Sequence, residues 1–172
     1  MSKKTLESLP QLFIHQKVLN TEGKIYGFEH NKSWAKEKLV LKKFFNDKGP
    51  VFSNKLYTIN ELYDKKDEIN ISELIMPEAL ASVNERVMGY LMKYVDGPNL
   101  IQVITSIRYS NEQKVAYLKQ VGEILKKMKD VRKKLCIKNF YINDLHPANF
   151  VLETSTNKVH VIDLDSSKIG TN

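Results

Sequence analysis

Ile142-Asn143-Asp144-Leu145-His146-Pro147-Ala148-Asn149-Phe150 is followed, nine residues on, by Val159-His160-Val161-Ile162-Asp163-Leu164-Asp165. Together they set an aspartate, an asparagine five positions on and a second aspartate nineteen positions after the first, each beside apolar, strand-like residues. Asp144, Asn149 and Asp163 therefore bring carboxylate and amide oxygens to the ends of short strands. A hard cation such as magnesium takes such donors, with no need of cysteine or a histidine cluster. An Asp and an Asn at this spacing also suit an Asx-rich turn before a strand. The order of the elements upstream bears on that choice.

Upstream, Ser110-Asn111-Glu112-Gln113 has the capping-box pattern of a helix start. Val115, Leu118, Val121, Leu125, Met128, Val131 and Leu135 then recur at threes and fours, predicting an amphipathic helix with that stripe inward. Lys119, Lys126, Lys127, Lys129, Lys133 and Lys134 fall on its other face, as a basic docking patch or simply as the wet side. Asp96-Gly97-Pro98-Asn99 is a break, because Gly and Pro favour a turn and Pro98 cannot donate to a ladder. It divides the chain into residues 1–96 and 97–172.

The first part reads as sheet. Phe13 to Leu19 and Lys24 to Phe28 predict a hairpin around Asn20-Thr21-Glu22-Gly23, and Leu39 to Phe45 a third strand. Leu56, Ile59, Leu62 and Tyr63 share one face of a helix predicted over Asn54 to Asp67. Two further strands, Ala79 to Val83 and Val87 to Val95, complete an antiparallel sheet with one helix across it. The fold class expected is α+β.

At 172 residues, 42% hydrophobic and 27% charged, the composition is that of an ordinary globular domain. The net charge of +7 attracts polyanions, but the lysines are scattered, which describes a solvated surface better than a nucleic-acid interface. The single Cys136 has no partner for an internal disulfide, and neither a leader-like apolar run nor a membrane span is present. A cytoplasmic location without membrane attachment is expected.

With these motifs in this order, the chain resembles the protein-kinase-like superfamily, which includes protein kinases and the small-molecule phosphotransferases of the aminoglycoside and choline kinase type. The resemblance runs from about residue 13 to the C-terminus. Its most specific parts are DLHPAN with IDLD, followed by the hinge-like Leu91-Met92-Lys93-Tyr94-Val95-Asp96-Gly97. It implies a sheet-and-helix lobe followed by an abbreviated, mainly helical lobe. It also implies ATP and magnesium as ligands, with transfer of the γ-phosphate to a hydroxyl acceptor of unknown identity, protein or small molecule.

Residue by residue, the resemblance makes Asp144 the base that orients the acceptor hydroxyl, and Asn149 and Asp163 the metal ligands. Lys42 stands where a third-strand lysine contacts the α and β phosphates, with Glu61 as its carboxylate partner. The adenine would take backbone hydrogen bonds near Lys93 and Val95, with Leu91 or Met92 behind it, and Gly23 and Gly27 would stand at the phosphate loop. Alternatives remain in the residues themselves. Thr58 to Glu61 also reads as a capping box, Lys43 replaces Lys42 if the strand slips by one, and a plain hairpin turn accounts for Gly23.

Three departures lean toward the small-molecule branch: Asn143 before the catalytic aspartate, Leu164-Asp165 after the metal-binding one, and His146 within the loop. His146 suits either phosphate contact or a packed, hydrogen-bonded role. Only nine residues follow Asp163, so the later helices of the large lobe are not within this sequence, which leaves open a truncated chain, a gene remnant or a minimal variant completed by a protein partner. The other reading is a non-catalytic relative that binds nucleotide or serves as a scaffold.

Overall fold

The computed structural model describes residues 3–5, 17–19, 23–27, 39–44, 49–83, 86–136 and 139–170. They form an α+β protein that divides into two compact units, Met1–Asp64 with Met76–Tyr94, and Lys65–Ile75 with Val95–Asn172. The second unit takes up a segment, 65–75, that the sequence alone assigned to the first part.

The first unit is a six-stranded sheet with one long helix. Its strands are β1 (Lys3–Thr5), β2 (Lys17–Leu19), β3 (Gly23–Gly27), β4 (Leu39–Phe44), β5 (Pro77–Val83) and β6 (Arg86–Lys93), in the order β1-β5-β6-β4-β3-β2. The predicted hairpin forms between β2 and β3; the turn residues 20–22 lie outside the described residues. The expectation of a purely antiparallel sheet is corrected at its edge, where β1 runs parallel to β5. That pairing joins residues far apart in sequence, which local pattern does not encode.

Side chains alternate across a strand, so β4 sends its residues to two faces. Leu41 joins Ala79, Ala81 and Leu91 in a buried cluster on one face. Val40, Lys42 and Phe44 share the other, where the Phe44 ring meets Phe52 edge-on at 5.6 Å and Tyr90 at 5.9 Å. Phe52 belongs to helix α1 (Pro50–Asp64), so α1 packs on the face that carries Lys42. Gly89 lies opposite Lys43, and a Cβ there would stand 2.0 Å from the Lys42 carbonyl oxygen. Only a residue without a side chain permits that approach.

Helix α1 begins at Pro50, four residues before the predicted start at Asn54. Proline supplies helical φ and has no N–H to leave unsatisfied in a first turn. Thr58 is therefore a buried interior residue, and the capping box considered for Thr58 and Glu61 does not form. Glu61 instead lies in the last turn.

The second unit contains α2 (Lys66–Ile69), α3 (Leu100–Thr105) and α4 (Asn111–Lys134), with the strands β7 (Asn139–Tyr141), β8 (Phe150–Glu153), β9 (Lys158–Val161) and β10 (Lys168–Gly170). β8 pairs with β9, and β7 with β10, both antiparallel. The capping box predicted at Ser110 forms: Gln113 N donates to Ser110 Oγ at 3.3 Å and Ser110 N to Gln113 Oε1 at 2.9 Å. α3 was not expected, yet Asn99 and Gln102 cap it in the same reciprocal way.

α4 buries Tyr117, Ile124 and Met128 against β7 and β9. The predicted stripe is corrected here, because Val115 and Leu118 are 50% and 47% exposed. The helix carries two apolar stripes, and the strands occupy the side of Tyr117. One turn beyond Leu118 sits Gly122, where a Cβ would meet no atom within 4 Å. An interior helical glycine costs about 1 kcal/mol against alanine, and nothing within the described residues requires it.

Candidate functional site

The loop between β7 and β8 holds Asp144, His146 and Asn149, and the loop between β9 and β10 holds Asp163. Because β10 returns to pair with β7, Tyr141 opposite Lys168, both loops emerge from the same pair of strands. A backbone bond then joins them: Ile162 N donates to Asn149 O at 2.9 Å. Asp163, the next residue, is thereby held beside Asn149.

Within the first loop the polar side chains are wired to one another. Asn149 Nδ2 donates to the Asp144 carbonyl at 3.0 Å and to Asp144 Oδ2 at 3.3 Å. His146 N donates to the Asp144 carbonyl and Asn149 N to the His146 carbonyl, both at 2.9 Å. With its NH₂ spent on Asp144, Asn149 keeps Oδ1 for another donor or a cation. Asp144 itself is solvent-exposed and Asn149 half-buried.

Of the roles considered for His146, packing in a core is not taken, whereas hydrogen bonding within the loop is. It is exposed, and its Nδ1 accepts from Ala148 N at 3.2 Å, capping the 3-10 turn Pro147–Asn149. A ring nitrogen that accepts carries no proton, so this bond selects the tautomer protonated at Nε2. The histidine shapes the turn that presents Asn149.

The two aspartates of the second loop differ. Asp165 is buried within the 3-10 turn Leu164–Ser166, whereas Asp163 is half-buried with φ 65° and ψ 45°. That left-handed backbone is unfavourable for a residue with a Cβ, although aspartate tolerates it better than most. Strain of this kind, at the residue the motif singles out, is typical of positions that a site rather than the fold dictates.

Residues that the sequence reading did not single out hold these loops in place. Gln120 of α4 accepts from Val159 N at 2.9 Å through Oε1 and donates to the Asn157 carbonyl at 3.1 Å through Nε2, holding the end of the β8–β9 turn and the start of β9. Glu73 presents its carbonyl to Val161 N at 2.8 Å, and Ile75 N returns a bond to the Val161 carbonyl at 2.9 Å, so segment 73–75 braces β9. The Glu73 carboxylate pairs with Lys127 of α4. Burial alone would raise its pKa, but the Lys127 ammonium and hydrogen bonds from the backbone and from Ser72 together outweigh this and hold it below the ordinary 4.5. On the other side, Leu152 N and Thr154 N donate to the carbonyls of Pro98 and Asp96, each at 2.9 Å. Gly97 between them lies so close to β8 that a Cβ would stand 1.8 Å from the Leu152 oxygen. A polar helix residue opposite a strand turn was the only available signal for Gln120, and it is a weak one.

In the first unit, Lys42 is 1% exposed on β4 and Lys43 half-buried, so the register places Lys42, not Lys43, on the buried face beneath α1. Neither Lys42 nor Glu61 is without a partner. Gly23 and Gly27 stand at the two ends of β3, paired with Phe44 and Val40. Lys93 ends β6 opposite Leu39, and Val95, buried, opens the second unit. Of the two residues considered behind the adenine, Leu91 is spent in the cluster with Leu41, while Met92 shares its face with Lys42.

Among the described residues no three His, Cys, Asp or Glu side chains are grouped as a metal site, and no helix is long and apolar enough to cross a membrane. By the resemblance, Asn149 and Asp163 would offer an amide and a carboxylate oxygen, a two-ligand set. Such a set fits magnesium, which keeps several waters and takes its remaining oxygens from phosphates, and it does not fit a metal needing a full protein cage. No protein-family model matches the chain, and no curated protein matches it.

Proposed function

We propose that this chain is a kinase-like phosphotransferase that binds ATP with magnesium and passes the γ-phosphate to a hydroxyl group. The observation that supports it is the hydrogen-bonded joining of Asp144, Asn149 and the residue before Asp163 across two loops. Asp144 follows β7 and Asp163 follows β9, and the Ile162–Asn149 bond ties their two loops together.

In this reading Asp144 accepts the proton of the attacking hydroxyl. The bond from Asn149 to Oδ2 fixes the carboxylate's rotation and leaves Oδ1 toward the acceptor. Asn149 Oδ1 and the Asp163 carboxylate would hold the ion. When bound, magnesium supplies charge neutralisation on the phosphate oxygens. Lys42 is the cation that the resemblance assigns to the α and β phosphates. The work left to the protein is positioning and electrostatics, which dominate phosphoryl transfer.

The test is transfer of labelled phosphate from ATP to a panel of protein and small-molecule alcohols. Transfer is expected with the natural chain and a loss of at least about 100-fold with Asp144→Asn, as for removal of a positioned base. Full activity in Asp163→Asn would overturn the ligand assignment. The second reading, nucleotide binding without transfer, draws on the placement of Gly23 and Gly27 at opposite ends of a strand, facing Phe44 and Val40, rather than together in one glycine-rich loop. It predicts ATP binding with no labelled product from any acceptor.

A further inference from the structure

The second unit carries a surface that the phosphotransfer reading does not use. A groove of about 260 Å³ lies between α4 and the strand and loop that follow it, floored by Met128, Phe140 and Ile142 and edged by Leu125, Tyr141 and Leu145. Tyr141 and Leu145 are 41% and 52% exposed. Lys129 and Arg132 of α4 stand on its rim.

The groove continues along α4. At about 100° per residue, Leu118, Gly122, Leu125 and Lys129 fall on one side of the helix, with Val115 beside them. Lys126, Arg132 and Lys133 bracket this side, within a sector of roughly 120°. The helix's carboxylates, Glu112, Glu123 and Asp130, all fall outside it. Apolar side chains and cations thus share one exposed side of α4, and the acids are kept off it. From Val115 to Arg132 the strip is roughly 26 Å long at the rise of an α-helix.

Gly122 adds an independent mark. It interrupts the strip at its middle, weakens the helix, and answers no contact within the described residues. A glycine in that position lets a second backbone approach closely.

We propose that this strip and groove form the docking site for an acidic amphipathic helix of a partner protein. Its apolar side would lie on Leu118, Leu125 and Leu145, its carboxylates would flank Lys129 and Arg132, and its backbone would pass over Gly122. The observations favour this occupant. The cations, Lys126, Lys129, Arg132 and Lys133, run along about 10 Å of α4 beside the groove, flanking its apolar floor rather than closing round one anionic group. The floor is recessed, out of reach of a flat bilayer. A second copy would bring the same cations face to face in a two-fold contact. The inference stands on the surface alone and does not require phosphate transfer.

The probe is a fluorescein-labelled helical peptide of eighteen residues, with leucines at helical spacing flanked by glutamates, read by fluorescence anisotropy against the full chain. Saturable binding is expected, weakening steeply with salt, and absent for the same peptide with lysine in place of glutamate. Lys129→Glu with Arg132→Glu should weaken it about tenfold or more and should restore binding of the lysine peptide, a gain that misfolding cannot mimic. Gly122→Ala should raise the melting temperature, while Gly122→Trp should abolish binding with the circular dichroism spectrum unchanged. Equal binding of both peptides, no binding, unchanged affinity in the charge-reversed or Gly122→Trp variants, displacement by anionic lipid vesicles, or concentration-dependent dimerisation blocked by Gly122→Trp would each overturn the proposal.

Discussion

Asp163 occupies a left-handed conformation in which a Cβ is a disadvantage, and it does so directly after a well-paired strand. If the fold alone set this residue, glycine would serve at least as well. Asp163→Gly is therefore expected to change stability by no more than about 1 kcal/mol in chemical denaturation, while the β-branched Asp163→Val costs about 1–2 kcal/mol. Both should remove magnesium-dependent nucleotide binding. Gly89 presents the opposite case: any side chain would collide with the Lys42 carbonyl, so Gly89→Ala should destabilise by about 2 kcal/mol or more through separation of β4 and β6. At this scale the sequence was informative. The spacing from Asp144 to Asn149 to Asp163 was visible as text, because loop motifs are local. The side-chain wiring that makes Asn149 a support for Asp144 was not, since no spacing rule encodes which amide atom faces inward.

Among the elements, α4 connects packing to the site. Its buried side grips the β8–β9 hairpin through Gln120, and Lys127 reaches Glu73 on the segment that braces β9. Gln120→Ala should cost about 1–2 kcal/mol, because Val159 N loses its partner in partly buried surroundings. The Glu73 carboxylate has its pKa lowered in the folded chain. Its contribution is thus present at pH values above the unfolded value and is lost as pH falls through the folded one. Denaturation followed from pH 6 down to pH 3 should show a decline below about pH 4.5 that Glu73→Gln lacks, worth under about 1 kcal/mol for a pair this exposed. The elements were partly legible. The Ser110 box located the start of α4 because capping chemistry is local, and Asn99 with Gln102 offered the same signal for α3, overlooked because Gly97 and Pro98 read as a break. Which of two apolar stripes on α4 would be buried depended on strands that arrive later in the chain, and periodicity cannot see them.

For the whole molecule, the chain forms an α+β protein of two units, one built on a mainly antiparallel sheet and one on a long helix with two small hairpins or strand pairs. Leu39 to Phe44 was readable as a strand, but its register left Lys42 and Lys43 open; the parallel edge pairing of β1 and the transfer of residues 65–75 to the second unit were not readable. Both join distant parts of the chain, which only the assembled core selects. Asp144, Asn149 and Asp163 are proposed to act together on one magnesium nucleotide. The most direct measurement is the thermal stability of the chain with ATP, with and without magnesium, for the natural sequence and for Asn149→Ala combined with Asp163→Asn. Saturation at about a hundred times the dissociation constant should stabilise the natural chain by about 2.7 kcal/mol. That gain should vanish with EDTA and in the double variant. A gain that persists unchanged without magnesium or in the variant, or no gain at all, would contradict the claim.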